Sequence, residues 1–186
     1  MRTAIISVLA TALSFSAVAG SPVPRKAPEF VIQSPSGKQT LLSSYRGKDV
    51  VLAFMFTTCP HCQKAAPQFA RLQDEYGARG VQFLAATFDV DAKNQVENFV
   101  RLFGINFPCG YSSQANVLTF LGLPPNTPVF VPMLIFIDRN GTIRAEHMIT
   151  GDDKKDEPEK AFFADAGAGT RIEIEKLLKS ETSSKK

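Results

Sequence analysis

Two almost continuous apolar runs mark the chain, at residues 50–56 and 81–88. Apolar runs of this length, bounded by polar and turn-forming residues, are typical of strands covered on both faces of a sheet. After each run, apolar residues recur every three or four positions, at 60–76 and 92–103, which predicts two helices. The order strand, helix, strand, helix indicates an α/β protein.

The remaining pattern adds a hairpin before this unit and another after it. Short alternating segments on either side of turn-forming residues predict both hairpins, and three further segments have helical spacing. We therefore expect a central mixed β-sheet flanked by helices, with an N-terminal β-hairpin extension. The hairpins are predicted at 29–33 with 39–42 and at 131–137 with 142–148, and the helices at 114–121, 156–163 and 170–179.

Residues 1–19 carry the features of a secretory signal peptide. Arg2 precedes an apolar run at 4–18, and the small residues Ala17 and Ala19 fit a cleavage site. The run is shorter than the roughly 20 residues that cross a bilayer, which makes an uncleaved membrane anchor the less favoured alternative. We expect a periplasmic or secreted protein. The predicted divisions are a signal peptide at 1–19, a linker at 20–28, one folded domain at 29–180 and a flexible tail at 181–186.

The composition agrees with one globular domain. The chain has 186 residues, of which 44% are hydrophobic and 21% are charged, and this balance supports an ordinary core. Its net charge of +3 is spread along the sequence, so we expect no nucleic-acid partner. Three cysteines are too few for a disulfide-dense scaffold. We expect a monomer.

The candidate reactive site is Cys59-Pro60-His61-Cys62, where the first central strand gives way to a helix. Two cysteines on the first turn of a helix can close a disulfide, and the helix N-terminus favours the thiolate of Cys59. Pro60 suits the first helical position, and a protonated His61 would lower the pKa of Cys59 further. Cys62 faces into the helix and is predicted to resolve the mixed disulfide that Cys59 forms with a partner.

Two structural alternatives for the cysteine pair are weaker. A single C-x-x-C supplies only half of the ligands that a structural zinc site needs. A passive bridge across so short a loop would remove little chain entropy. We therefore predict a redox-active disulfide and neither a metal nor an organic cofactor.

Four stretches carry a resemblance to a known family. They resemble the TlpA/ResA branch of exported thioredoxin-fold proteins, within the AhpC/TSA-like group, and Pro67 matches the helix-kinking proline of thioredoxins. The resemblance implies a thioredoxin-like fold and an oxidoreductase that exchanges electrons with protein cysteines or disulfides. The stretches are Ala27-Pro28-Glu29-Phe30, Ser36-Gly37-Lys38, Leu42-Ser43-Ser44-Tyr45-Arg46-Gly47-Lys48 and Val131-Pro132-Met133-Leu134-Ile135-Phe136-Ile137-Asp138.

The family has a cis-proline that faces the cysteine pair, and Pro132 is its match. The resemblance implies that Val131 contacts the reactive sulfur and that its backbone pairs with the substrate. Thr58, which stands where the family usually has tryptophan, is expected to bind substrate beside Val131 and Pro132. The predicted catalytic residues are Cys59, Pro60, His61, Cys62 and Pro132.

Departures from the family leave the direction of electron flow open. Thioredoxins keep a buried acid before the first cysteine, where this chain has Ala53, and ResA-like proteins carry one after the second, where it has Ala65. The Pro-His pair and Val131 resemble DsbA, a strong oxidant. The segment between Cys62 and Pro132 is, however, too short for the helical insertion of DsbA.

Two other functions stay in view, a Sco-like copper metallochaperone and a thiol peroxidase. Sco-type sites space their cysteines more widely and add a distant histidine. The peroxidatic motif requires a proline and a threonine where this chain has Leu52 and Phe56. For the favoured oxidoreductase, the sequence leaves three kinds of client protein as alternatives: apocytochrome c in cytochrome c biogenesis, a copper-site apoprotein and general secreted proteins. A membrane or periplasmic redox partner is expected to recycle the pair.

Four further residues are interpreted as structural. Cys109 is predicted to be a buried unpaired cysteine rather than a third redox thiol. His147 is predicted to be a surface histidine rather than a ligand. Asp89 and Asp91 follow the second central strand, and we interpret them as a cap for the next helix rather than as residues that tune the site.

Overall fold

The structure is a computed structural model that describes residues 22–149, 151 and 156–183. The predicted signal peptide at 1–19 lies outside the described residues. Within them, strands and helices alternate much as the sequence pattern predicts. The strands are β1 (Arg25–Lys26), β2 (Val31–Gln33), β3 (Gln39–Leu41), β4 (Asp49–Met55), β5 (Val81–Thr87), β6 (Cys109–Tyr111), β7 (Met133–Ile137) and β8 (Thr142–His147). The helices are α1 (Pro60–Tyr76), α2 (Ala92–Leu102), α3 (Gln114–Leu121), α4 (Glu157–Ala164) and α5 (Ala166–Ser183).

The described strands form a mixed sheet in the order β1-β8-β7-β4-β5-β6-β2-β3. The central strand β4 is parallel to β5 and antiparallel to β7. Every residue of β4 is buried, which requires cover on both faces and explains its continuous apolar sequence. The α/β class, the mixed sheet and the N-terminal hairpin β2–β3 are therefore confirmed.

Side chains of β4 point alternately into two hydrophobic cores. Met55 lies in the core that contains Phe69 of α1. Phe54 lies in the other core, where its ring meets Phe120 of α3 edge-on at 5.7 Å between centroids. A shift of β4 by one residue would exchange the two sets of side chains, so burial on both faces fixes its register.

The predicted linker at 20–28 contributes a strand to the sheet. Arg25 lies opposite Ile143 in β8, and the Ala27 backbone N donates to the Gly141 carbonyl oxygen at 2.9 Å. The linker interpretation is therefore wrong for β1. A strand of two residues has no periodicity of its own, and only its partner across the sheet gives it this structure.

Two other elements differ from the sequence expectation. Strand β6, which the sequence pattern does not predict, is parallel to β5 and pairs with β2. A Cβ on Gly110 of β6 would lie only 2.3 Å from the Gln33 carbonyl oxygen, so this glycine allows the two strands to approach. Helix α5 starts four residues earlier than 170–179 and reaches Ser183, inside the predicted tail at 181–186.

Helix α1 has the bounds predicted from its apolar spacing. Pro60 stands at its first turn, where a missing N–H costs nothing, and Pro67 lies inside the helix. Because β4 and β5 are parallel, their carboxyl ends meet at the edge of the sheet from which α1 starts.

Among the described helices, none combines the length and apolarity needed to cross a membrane.

Candidate active site

Cys59 is the N-cap residue of α1, in the loop that follows β4. Its backbone is extended, with φ −77° and ψ 122°, and its carbonyl oxygen accepts from the Gln63 backbone N at 3.0 Å. The first turn of a helix has N–H groups without intrahelical partners, and they point toward this position. The sulfur of Cys59 therefore lies at the positive end of the helix dipole.

This environment strongly favours the thiolate of Cys59. The pKa of Cys59 is lowered to about 5, first because the Cys62 thiol donates a hydrogen bond to it. The backbone N–H groups of Cys62 and His61 and the charge of His61 lower the pKa further, while partial burial opposes them. Cys59 is half-buried and His61 is exposed, so the reactive sulfur faces solvent beside a titratable cation.

Cys62 has the opposite properties. It is fully buried in the core that also contains Ala53 and Ala65. Burial and the neighbouring Cys59 sulfur raise the pKa of Cys62 far above its usual range. All three cysteines of the chain are free thiols in this structure. The geometry thus gives one accessible thiolate and one buried thiol.

Pro132 lies across from the cysteine pair. The Val131–Pro132 peptide bond is cis, as the resemblance implies, and the Val131 carbonyl oxygen is 3.5 Å from the Cys59 sulfur. Pro132 is buried, whereas Thr58, next to Cys59, is exposed. Val131 and Pro132 therefore line the same groove as the reactive sulfur, and Thr58 precedes Cys59 in the chain; their role in binding substrate stays a prediction.

An apolar groove opens beside Cys59. It has a volume of about 470 Å³ and extends from the loop before Pro132 to helix α4. Phe130, at its rim, is 47% exposed. The groove is lined by Phe56, Cys59, His61, Val129, Phe130, Val131, Pro132, Ile149, Lys160, Phe163 and Ala164.

The interpretation of Asp89 as a helix cap is wrong for its side chain. The Asp89 carboxylate binds Thr57, in the loop before Cys59, although its carbonyl oxygen does accept from the Ala92 backbone N. Asp91 is the N-cap residue of α2 and binds the side chains of Asn94 and Gln95. The contact between Asp89 and Thr57 could have been predicted from the parallel pairing of β4 and β5, because this pairing brings together the residues that follow the two strands.

Two other candidates lie away from the reactive sulfur. Cys109 lies half-buried in β6, and burial raises its pKa to about 12. His147 is not a surface histidine: the Phe162 ring stacks on its ring at 3.9 Å between centroids, and its Nδ1 lies 3.0 Å from Glu159 Oε2. Within the described ranges, no three His, Cys, Asp or Glu side chains are grouped to hold a metal ion.

The fold and this site define the class. A sheet of this topology, with C-x-x-C at the start of α1 and a cis-proline opposite, is that of a thioredoxin-like protein with a dithiol site. The chain belongs to the AhpC/TSA family, whose model matches residues 23–146. The match extends from β1 into β8 and includes the cysteine pair and Pro132.

Relatives of known class agree with this assignment. The chain is 34% identical over 167 residues to the thiol-disulfide oxidoreductase ResA of Geobacillus kaustophilus, covering 86% of this chain and 91% of that one. It is 33% identical over 164 residues to the ResA of Geobacillus thermodenitrificans, covering 84% and 90%. The chain is therefore a TlpA/ResA-like thiol-disulfide oxidoreductase.

Solved structures support the same fold. A DsbE-type thiol:disulfide interchange protein from Chlorobium tepidum superposes with a TM-score of 0.59 at 24% identity, covering 76% of this chain and 95% of that one. A thioredoxin family protein from Chlorobium tepidum TLS gives a TM-score of 0.62 at 21% identity, covering 85% and 99%. At these identities the similarity shows the thioredoxin-like fold alone.

Proposed function

We propose that the protein is an exported oxidoreductase that exchanges electrons with protein cysteines through Cys59 and Cys62. One observation carries this proposal: the two sulfurs, three residues apart, have opposite protonation preferences. Cys59 is accessible with a pKa of about 5, and Cys62 is buried with a raised pKa. The thiolate is the nucleophile in disulfide exchange, so Cys59 attacks first and Cys62 resolves.

The exchange balances without a cofactor. The Cys59 thiolate attacks one sulfur of a client disulfide, forming a mixed disulfide and releasing one client thiolate. Cys62 then loses its proton and attacks the Cys59 sulfur, which releases the second client thiolate and leaves Cys59–Cys62 oxidised. Two electrons pass to the client, and the reverse sequence oxidises a client dithiol.

The mixed disulfide itself activates Cys62. Part of the raised pKa of Cys62 comes from its hydrogen bond to the Cys59 sulfur and from the charge on that sulfur. Once Cys59 is bonded to a client, that charge is gone, and the cost of forming a Cys62 thiolate falls. Resolution is therefore favoured only after a client has been captured.

The groove beside Cys59 fits an extended protein segment. The Val131 carbonyl oxygen, 3.5 Å from the Cys59 sulfur, can accept from a client backbone N–H. The apolar lining, with Phe130 half exposed, suits a hydrophobic side chain next to the client cysteine. Thr58 and His61 are exposed beside it and would contact the polar face of the segment.

The low pKa of Cys59 supports a moderately oxidising pair. A pKa of about 5 lies between the values of about 7 for thioredoxin and about 3.5 for DsbA. Stabilising the thiolate stabilises the reduced form, so we expect a reduction potential between about −270 mV and about −120 mV. Equilibration with glutathione measures it, and a value at or below the thioredoxin figure would assign the protein to the reductants.

Export is proposed from residues 1–19 alone. The apolar run at 4–18 behind Arg2 supports cleavage after Ala19 and release of the domain outside the cytoplasm. Disulfide exchange with secreted clients suits that compartment. Mass spectrometry of the protein from a periplasmic extract would detect the cleaved N-terminus, and retention of residues 1–19 in the membrane fraction would favour an anchor.

The test of the proposed chemistry is a set of matched cysteine variants. Cys62→Ser should accumulate mixed disulfides with a cysteine-containing peptide, because the resolving thiol is missing, whereas Cys59→Ser should capture none. Cys109→Ser is the control, since Cys109 lies in β6 with a raised pKa, and it should exchange as wild type does. Equal capture by Cys59→Ser and Cys62→Ser would contradict the assigned roles.

A further inference from the structure

Helix α4 forms one wall of the groove beside Cys59. Its residues Lys160, Phe163 and Ala164 line the groove, yet no residue of α4 is buried. An element that buries so little apolar surface opens locally at a small cost in free energy. The position of this wall therefore depends on a few contacts.

The main contact from the sheet to α4 is His147 of β8. Its ring stacks on Phe162 of α4 at 3.9 Å between centroids, with 8° between the ring planes. Phe162 in turn meets Phe163 edge-on at 5.0 Å. Only one ring therefore separates His147 from the side chain that lines the groove.

A carboxylate lies at each ring nitrogen of His147. Glu159 Oε2 of α4 is 3.0 Å from Nδ1, and Glu173 Oε1 of α5 is 3.6 Å from Nε2. The side chains of these three residues are at most 21% exposed, so solvent screens their charges only in part. An imidazolium carries an N–H on both nitrogens, whereas a neutral imidazole carries one. Only the protonated ring therefore attracts both carboxylates.

The other charges around this cluster have partners of their own. Glu173 also contacts Lys176 Nζ at 2.7 Å. Lys160 of α4 pairs with Glu157 at 3.3 Å, and Arg25 of β1 pairs with Glu146, the neighbour of His147 in β8, at 2.6 Å. Near neutral pH the group whose charge changes most readily is a histidine.

We propose that His147 is a positioning residue for client capture, whose imidazolium between Glu159 and Glu173 fixes α4 as the wall of the groove. Phe163 then packs on a large apolar side chain next to the client cysteine. This inference rests on the proposed function of Cys59 and assigns a regulation to the same site. Because histidines change charge between about pH 5 and 8, capture of such clients weakens as pH rises through this range.

The test compares capture of a peptide with alkylation of Cys59 by iodoacetamide. Both reactions need the Cys59 thiolate, so the ratio of their rate constants cancels the titration of that sulfur. The probe is a peptide disulfide with phenylalanine next to its cysteine, and the control peptide has glycine there. For the phenylalanine peptide we expect the wild-type ratio to fall about two- to five-fold between about pH 5.5 and 8. For the glycine peptide the ratio should be the same in wild type and in His147→Gln.

Three variants separate the groups involved. His147→Gln cannot be protonated, so its ratio for the phenylalanine peptide should stay near the low wild-type value of high pH throughout the range. Glu159→Gln keeps the stacked ring but removes the charge at Nδ1, and we expect a shallower fall than in wild type. Glu97→Gln is the matched control, because it removes an exposed acid from α2, and it should match wild type.

Hydrogen exchange reports on the wall itself. We expect lower protection of the α4 amides in His147→Gln than in wild type at about pH 6, with unchanged protection in α1. Urea unfolding checks that each variant is folded, and Glu159→Gln decides by the same criteria if His147→Gln is not.

The outcomes separate this inference from the proposed function. A wild-type protein that iodoacetamide alkylates but that captures neither peptide would contradict the proposed function itself. If both peptides are captured and His147→Gln keeps the wild-type pH profile, the role of His147 is overturned. A flattened profile with unchanged protection of α4 would overturn the positioning step.

Discussion

Cys59 and Cys62 differ because the start of a helix is electrostatically uneven over a single turn. The N-cap position exposes Cys59 to unpaired N–H groups and to the dipole. The position three residues later turns Cys62 into the core, where a charge has no solvation. The same four-residue motif therefore yields a nucleophile and a protected thiol from two residues of one type.

His61→Ala should raise the pKa of Cys59. His61 lowers that pKa through its charge and through its backbone N–H, and the substitution removes only the charge. We expect an increase from about 5 of up to about one unit, because solvent screens this exposed side chain.

The measurement is the ultraviolet absorbance of the thiolate as a function of pH. Lys64→Ala is the control, since Lys64 is an exposed cation on the same helix but is not among the main causes of the low pKa of Cys59. A Cys59 pKa unchanged in His61→Ala, or raised equally in both variants, would assign the effect to the helix alone.

At the scale of single residues, the sequence predicted the redox chemistry but missed contacts between residues that are distant in the chain. The roles of Cys59 and Cys62 follow from a local motif, and the cis bond before Pro132 follows from the family resemblance. Asp89 was interpreted as a cap because its partner, Thr57, lies 32 residues earlier in the chain, in the loop after β4. His147 was interpreted as exposed because the ring that covers it, Phe162, belongs to a helix of the C-terminal part.

Elements with their own periodicity were predicted well, and those without it were not. The bounds of α1 and α3 agree with the apolar spacing, and β4 and β5 agree within one residue. Strands β1 and β6, of two and three residues, form only because a longer strand offers unpaired backbone groups. Such strands are determined by tertiary pairing, which no local pattern reports.

Gly110→Ala should loosen the hairpin edge of the sheet. The added Cβ would lie 2.3 Å from the Gln33 carbonyl oxygen, so β6 and β2 would have to separate at their one registered pair, Gln33 with Tyr111. Overpacking of this kind costs about 1–3 kcal/mol. We expect a lower free energy of unfolding in urea and faster hydrogen exchange in β2 and β3.

Gly37→Ala is the comparison for this variant. Gly37 lies in the same hairpin and has open space around it, but its φ is +86°. The loss of stability in Gly37→Ala should therefore come from backbone strain and be about 1 kcal/mol. If Gly110→Ala leaves β2 and β3 as protected as in wild type, β6 does not hold the hairpin.

For the whole molecule, reduction should change how stability depends on pH. Cys59 has its pKa lowered to about 5 in the folded state, against about 8.5 in an unfolded chain. Between these values the unfolded state binds more protons, so the reduced protein gains stability as pH rises from about 5 to about 8.5. Falling pH removes this contribution as the folded Cys59 becomes protonated.

Cys62 reverses the trend at higher pH. Its folded pKa is raised, so above about 8.5 the unfolded chain loses a proton that the folded protein retains, and stability falls. The oxidised protein has neither thiol in the pair. Urea unfolding measures the free energy of unfolding of both forms, and the difference between them should peak near about pH 8.5. The slope of this difference should stay below about 1.4 kcal/mol per pH unit because Cys59 is partly solvated. A flat difference would contradict the low pKa of Cys59.

The pairing of β1 with β8 has a consequence for the order in which a nascent chain can fold. Arg25 leaves the ribosome long before Ile143, its partner in the register, so one edge of the sheet stays open through most of synthesis. Cys59 and Cys62 also leave the ribosome well before Val131 and Pro132, which lie opposite them in the folded protein. The dithiol can therefore meet oxidants while the sheet around it is still unfinished.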